Sequence, residues 1–283
     1  MIKFVIKLIA LYCFAINSSF AFNPQTGVWV VDSELNGKPG RGIALDIQNN
    51  TIVAAIYAYD TSGQSTFYLG SGLITHNQSG PSVSTMELQR YANGRYFGSS
   101  DRSGSLVENS GIVRFEFTSG ITGYVIFPGE EKKAISRFQF GYGWNSNSLF
   151  GAWAFTSYGS KGVTADVVVL SKLLGNTQNG NGVVSSSDNT FGCEHQIAGS
   201  NAWSVLCVKV DYNGNIIKTF KFFYSVNDGE GLSGTANSLD QGLIIRRIAN
   251  QTSNGTGILF RADQSELIDA SLLINALNSL VVK

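Results

Sequence analysis

The chain has 283 residues, 14% of them charged and 12% aromatic, with 20 basic against 20 acidic side chains and 32 glycines. So few charges among so many rings and glycines exclude a disordered tail and a charge-laced helical bundle, and favour strands broken by frequent turns. No basic stripe is visible of the kind that nucleic-acid binding requires, so no nucleic acid is expected as a partner.

Residues 1–21 have the three parts of a secretory signal peptide. Lys3 and Lys7 give the positive start, and the apolar run from Leu8 to Ile16 is well short of the roughly 20 residues a membrane span needs. Ser19 and Ala21 place small residues at the −3 and −1 positions of a cleavage site before Phe22. Cleavage leaves 18 basic and 20 acidic residues, a net charge of −2. No later stretch is apolar for long enough to span a bilayer as a helix, so the mature protein is expected outside the cytoplasm and not integral to the membrane.

Two β domains are expected, over 22–141 and 142–283. In the first, strands run over Gly42–Gln48, Thr51–Tyr59 and Ser65–Leu69, joined by Asn49–Asn50 and by the turn cluster Asp60–Gly63. Val83–Tyr91, Ile112–Phe117, Ile121–Phe127 and Ala134–Phe140 follow, with Val113, Phe115 and Phe117 alternating against Arg114 and Glu116. Short strands at this spacing form a meander, closed as a barrel or stacked as a sandwich. The turn-rich segment 141–148 ends the first domain, and the opening Gly27-Val-Trp29 is echoed by Gly151-Ala-Trp153.

The second domain repeats the style with longer loops. Val163–Leu170 is a strand and 175–188 a polar loop. Trp203–Val210 and Ile216–Tyr224 flank the hairpin signal Asp211-Tyr-Asn-Gly214, and Leu243–Ile248 is the expected last strand. From Asp263, with Glu266 three residues on, apolar positions 267, 270, 274, 277 and 281 predict a helix over about 264–281, docked on the sheet or across a barrel mouth.

Cys13 leaves with the leader, so Cys193 and Cys207 remain, an even number in an oxidising compartment. A disulfide is the expected state. Free buried thiols are the alternative, and a metal site would need more ligands than His195 nearby supplies. No cofactor or metal is expected, because His76 and His195 are the only histidines and no nucleophile elbow or phosphate-binding loop is present. Asp211, Asn213 and Asn215 mimic the start of a calcium loop, but Ile216 and Phe222 break the pattern, and a hairpin turn is favoured. The acidic, glycine-rich segment 227–231 reads as a solvated loop, with weak calcium binding the alternative. Asp46, Glu87 and Glu116 could serve as a glycosidase pair only by meeting across a barrel. Aromatic residues are the more informative group. Tyr57, Tyr59, Phe67 and Tyr68 crowd one hairpin and are the candidate ligand-stacking residues, and Phe138, Phe140, Tyr142 and Trp144 close the first domain.

The sequence Gly27-Val-Trp29, Gly40-Arg-Gly42, Tyr59-Asp-x-x-Gly63-x-x-x-Phe67-Tyr68 and Lys133-Ala-Ile-Ser-Arg137 resembles an uncharacterised β-rich module of exported, mostly proteobacterial proteins, over about residues 27–140. Tryptophan is commoner where Phe67 stands. The module carries no assigned activity, so the resemblance implies module boundaries and a periplasmic or extracellular address in a Gram-negative bacterium. A looser resemblance is to lipocalin-type barrels, in which a first-strand tryptophan packs on an arginine from the last strand. It implies pairs Trp29 with Arg137 and Trp153 with Arg246 or Arg247, each joined by cation–π contact.

With no catalytic constellation, the sequence reads as a non-enzymatic exported protein that binds a small ligand, a sugar or a cell-surface partner. A structural or adhesive surface protein is the alternative, and an unrecognised hydrolase the second.

Overall fold

The structure, a computed structural model, describes residues 23–77, 80–252 and 269–281. The expected signal peptide therefore lies outside the described residues. The chain divides into two compact units, Met1–Ser136 and Arg137–Lys283, a division five residues earlier than the sequence placed it. Each unit carries a closed eight-stranded antiparallel barrel in simple up-and-down order.

The first barrel comprises β1 (Gly27–Val31), β2 (Gly42–Gln48), β3 (Thr51–Tyr59), β4 (Ser65–Thr75), β5 (Ser82–Ala92), β6 (Ser105–Phe117), β7 (Thr122–Ile126) and β8 (Lys133–Arg137). Alternation decides which side chains fill it. Ile43 and Leu45 of β2, Ile52, Ala54 and Ile56 of β3, and Val113, Phe115 and Phe117 of β6 are all buried inward, around Trp29. Asp46, Glu87 and Glu116 occupy the other phase, with Glu87 accepting from Asn109, and Glu116 paired with Arg114 and Lys132 on the outer wall. The carboxylates that would have had to meet inside a barrel therefore do not.

The second barrel comprises β9 (Gly151–Gly159), β10 (Gly162–Leu173), β11 (Val184–Ser186), β12 (Phe191–His195), β13 (Val205–Val210), β14 (Ile216–Ser225), β15 (Asp228–Thr235) and β16 (Ser238–Ala249). Segment 227–231 is not a solvated loop, because β15 begins at Asp228 and pairs with both neighbours. Its glycines are there for close approach: a Cβ at Gly231 would lie 2.0 Å from the carbonyl oxygen of Lys221. The interior is an aromatic column in which Phe155 lies 5.0 Å from Phe191, 5.1 Å from Phe220 and 5.8 Å from Phe222. At one end Asp166 closes the column by pairing with Lys209 at 2.8 Å and Lys218 at 3.1 Å. At the other end stands Trp153.

Helix α1 runs over Ala270–Val281, with Asp269 as its cap, the Asp269 carboxylate accepting the Ser271 amide at 2.9 Å. It starts later than expected, and the Asp263–Glu266 capping pair lies outside the described residues. Leu273, Ala276 and Leu277 cover the outer face of β13 at Leu206, Val208 and Val210. The helix thus docks on the sheet. Because it does, β12 and β13 are buried on both faces.

Cys193 and Cys207 are direct cross-strand partners on β12 and β13, disulfide-bonded inside the barrel with Cα atoms 4.1 Å apart. With a 14-residue separation the chain-entropy gain is in the middle of the usual range, about 3 kcal/mol. Reduction with dithiothreitol is expected to lower the second barrel's unfolding free energy by that amount, read as a lower denaturant midpoint, and to leave the first barrel's transition in place. An unmoved second transition would remove the bond from the stability account.

Candidate functional site

The echoed Gly-x-Trp has a local cause. Gly27 and Gly151 sit at φ 131° and 119°, a left-handed region that favours glycine. From there the tryptophan two residues on turns into its barrel and donates its indole N–H back to the carbonyl four residues earlier. Trp29 donates to Gln25 at 2.9 Å and Trp153 to Leu149 at 2.7 Å. Both rings are fully buried.

In the first barrel Trp29 packs edge-on against Phe117, 5.4 Å away. Arg137, at the end of β8, donates to the Phe138 carbonyl at 2.8 Å, and burial pushes its guanidinium pKa down. At the strand ends away from Trp29 lies an open cleft of about 600 Å3. Ile56, Leu88 and Phe127 give it an apolar floor, and Tyr59 and Tyr68 line its wall.

Its polar side is one network. The Arg41 guanidinium grips Glu34 with both Nε and Nη2, reaches Glu130 at 2.6 Å, and lies over the Phe127 ring at 4.2 Å. Glu34 also accepts the Arg41 amide. The hydrogen bond from Arg41 holds the Glu34 carboxyl below the usual carboxylate range, which is the wrong direction for a catalytic general acid. Glu34 and Arg41 both lie on the β1–β2 connection and Glu130 on the β7–β8 connection, so the network ties two loops at one barrel end. Ser110 also lines the cleft, its hydroxyl buried without a hydrogen-bond partner.

Of the four aromatic residues named from the sequence, only Tyr59 and Tyr68 reach this cleft. Tyr57 and Phe67 are direct cross-strand partners in the outward phase, 56% and 43% exposed, and belong to the outer wall. The hairpin between them turns on Asp60, whose carboxylate accepts the amides of Ser62 and Gln64. Asp211 does the same for Asn213 and Asn215, so those oxygens organise a hairpin turn and not a calcium loop.

In the second barrel the arginine over Trp153 is Arg247, 4.0 Å from the ring, and not Arg246. Strand phase decides it. Leu243, Ile245 and Arg247 point inward, while Arg246 points out toward Asp228 at 3.8 Å. The Arg247 guanidinium also lies 4.3 Å over Tyr142 and donates to the carbonyls of Phe150, Ser148 and Val226. A chain of hydrogen bonds runs beside it. Ser148 donates to the Asn145 carbonyl at 2.7 Å, so it must accept the Tyr224 hydroxyl at 2.6 Å, and Tyr224 in turn accepts from His195 Nε2 at 3.0 Å. That order assigns the proton to Nε2 and leaves His195 Nδ1 bare, buried and without a hydrogen-bond partner. Trp144 packs on the imidazole at 4.3 Å. His76, by contrast, is exposed and meets Ser82 at 3.0 Å.

Among the described residues no group of three or more His, Cys, Asp or Glu could hold a metal ion, and no helix is long and apolar enough to cross a membrane. No protein-family model, curated protein or solved structure matches the chain.

Proposed function

We propose that the chain is an exported, non-catalytic binding protein whose first barrel takes a small ligand at its open end. The observation that carries this reading is the cleft of about 600 Å3, within the size range of small-molecule sites. Its apolar floor and two tyrosines suit a ring or short apolar body. The Glu34–Arg41–Glu130 network and Glu108 suit hydroxyl or amino groups on that body. A sugar, or a cell-surface molecule presenting one, has this chemistry. Export is supported by the charged, apolar and small-residue order of 1–21, by the resemblance of residues 27–140 to an exported module, and by the disulfide, which an oxidising compartment maintains.

The test is a thermal-shift and calorimetric screen of the mature chain against sugars, lipids and divalent ions. A sugar held in the first-barrel cleft is expected to bind about tenfold more weakly in Tyr68→Ala, the loss of one stacking ring. Tyr57→Ala and Phe67→Ala are expected to bind as the parent does. A screen with no hit in any class, or a hit that Tyr57→Ala weakens as much as Tyr68→Ala, would overturn the cleft assignment in favour of a structural or adhesive surface role.

A further inference from the structure

The second barrel carries a cleft of its own. It measures about 530 Å3 and is lined by Tyr142, Asn145, Asn147, Phe150, Asn250 and Gln251, with Ser148, Thr252 and two glycines completing it. No carboxylate, ammonium, guanidinium or imidazole lines it, in contrast to the charged cleft of the first barrel. An ionic ligand would lose its hydration there with no opposite charge in the lining to replace it. The carboxamides of Asn145, Asn147 and Gln251 match the paired donor and acceptor of a hydroxyl group, while the Asn250 oxygen is engaged by the Thr252 amide at 3.1 Å and hydroxyl at 2.9 Å. Of the two aromatic residues in the lining Phe150 is buried and Tyr142 is the more exposed ring, flanked by Gly141 and Gly143, and the direction a Gly141 Cβ would take is open.

The lining is also held in place. Arg247 stacks on the Tyr142 ring and binds the carbonyls of Ser148 and Phe150, so one buried cation fixes three lining residues before any ligand arrives. The short 3₁₀ turn Ser146–Leu149 is locked by the Ser148 hydroxyl on the Asn145 carbonyl. A preorganised lining of amides with the Tyr142 ring already fixed costs little ordering on binding. From this geometry we infer that the second barrel binds an uncharged, hydroxyl-rich ligand, a neutral saccharide by chemical class, stacked on Tyr142 and hydrogen-bonded by the surrounding amides. This site stands independently of the cleft in the first barrel.

The test is calorimetric titration of the full mature chain with maltose, cellobiose and N,N′-diacetylchitobiose, with glucuronic acid and glucosamine as charged comparators. At least one neutral disaccharide is expected to bind, with neither charged sugar competing for it. Tyr142→Ala is expected to weaken that binding about tenfold. Because Tyr142 also stacks on Arg247, the double variant Asn147→Ala/Gln251→Ala serves as the second arm. Both of its side chains are exposed, so folding is preserved, and a similar loss is expected. Tyr68→Ala, in the first barrel, is expected to leave this binding unchanged. The assignment is overturned if no neutral disaccharide binds, if the charged sugars bind in preference, or if binding survives both second-barrel variants. Loss in Tyr68→Ala alone would place the sugar in the first barrel instead.

Discussion

Arg247→Ala is expected to destabilise the second barrel by about 3 kcal/mol or more, against a change within about 0.5 kcal/mol for its neighbour Arg246→Ala. Arg247 is 5% exposed, yet no carboxylate is its counterion among the contacts described. Its charge is satisfied by the carbonyls of Phe150, Ser148 and Val226 and by the faces of Trp153 and Tyr142. Truncation leaves buried carbonyls without donors and opens a hole between two rings. Each orphaned acceptor costs about 1–3 kcal/mol, and each desolvated cation–π contact is worth about 1–2 kcal/mol. Arg247→Lys should fall between, since an ammonium cannot spread planar donors over separated carbonyls while lying flat on an indole. Denaturant unfolding followed by tryptophan fluorescence reads this directly, because three of the four tryptophans belong to this unit. Equal midpoints for Arg247→Ala and Arg246→Ala would refute the buried role.

That arginine shows how much of the fold the sequence discloses. The run Leu243-Ile-Ile-Arg-Arg-Ile248 is apolar in both phases, so the sequence leaves Arg246 and Arg247 open, and only the closed barrel turns Leu243, Ile245 and Arg247 inward. β2 and β3 fall at the residues expected because the turn residues Asn49–Asn50 and Asp60–Gly63 bound them. β11 and β12 did not announce themselves, since α1 and the 175–182 loop bury their outer faces and erase the period of two. β15 was hidden by Gly229, Gly231 and Gly234, which look like loop residues but are required where the strand crowds β14 and β16. The sites were less legible than the fold. Tyr68 and Phe67 are adjacent in sequence and differ only in phase. The Arg41–Glu130 pair joins residues 89 apart, a contact that only barrel closure creates. The amide lining of the second cleft is spread over two segments a hundred residues apart, with no motif to link them.

His195 yields the second large expectation, a loss of second-barrel stability in acid. Its ring is fully buried, and burial pushes its pKa from an ordinary 6.5 down to about 4. The hydrogen-bond order explains why a proton is unwelcome. Nε2–H is already spent on Tyr224, whose own pKa burial pushes up to about 12, and the proton would land on Nδ1, which has no acceptor. The unfolded chain therefore binds this proton more readily than the folded one. The stability it contributes is complete above pH 6.5, declines as pH falls below that value, and is lost once pH passes below about 4. The gap corresponds to about 3 kcal/mol at 1.36 kcal/mol per pH unit. Urea midpoints of the second barrel between neutral pH and pH 4 should fall accordingly, while His195→Gln, which cannot gain the proton, should be weaker at neutral pH but flatter across the window. A parent protein as stable at pH 4 as at pH 7, or a His195→Gln slope equal to the parent's, would show that this imidazole is not what acid attacks. The result also bears on the saccharide cleft. Ser148, which lines it, accepts the Tyr224 hydroxyl that His195 supports, so acid should loosen the Asn145–Ser148 turn and weaken neutral-sugar binding over the same pH range.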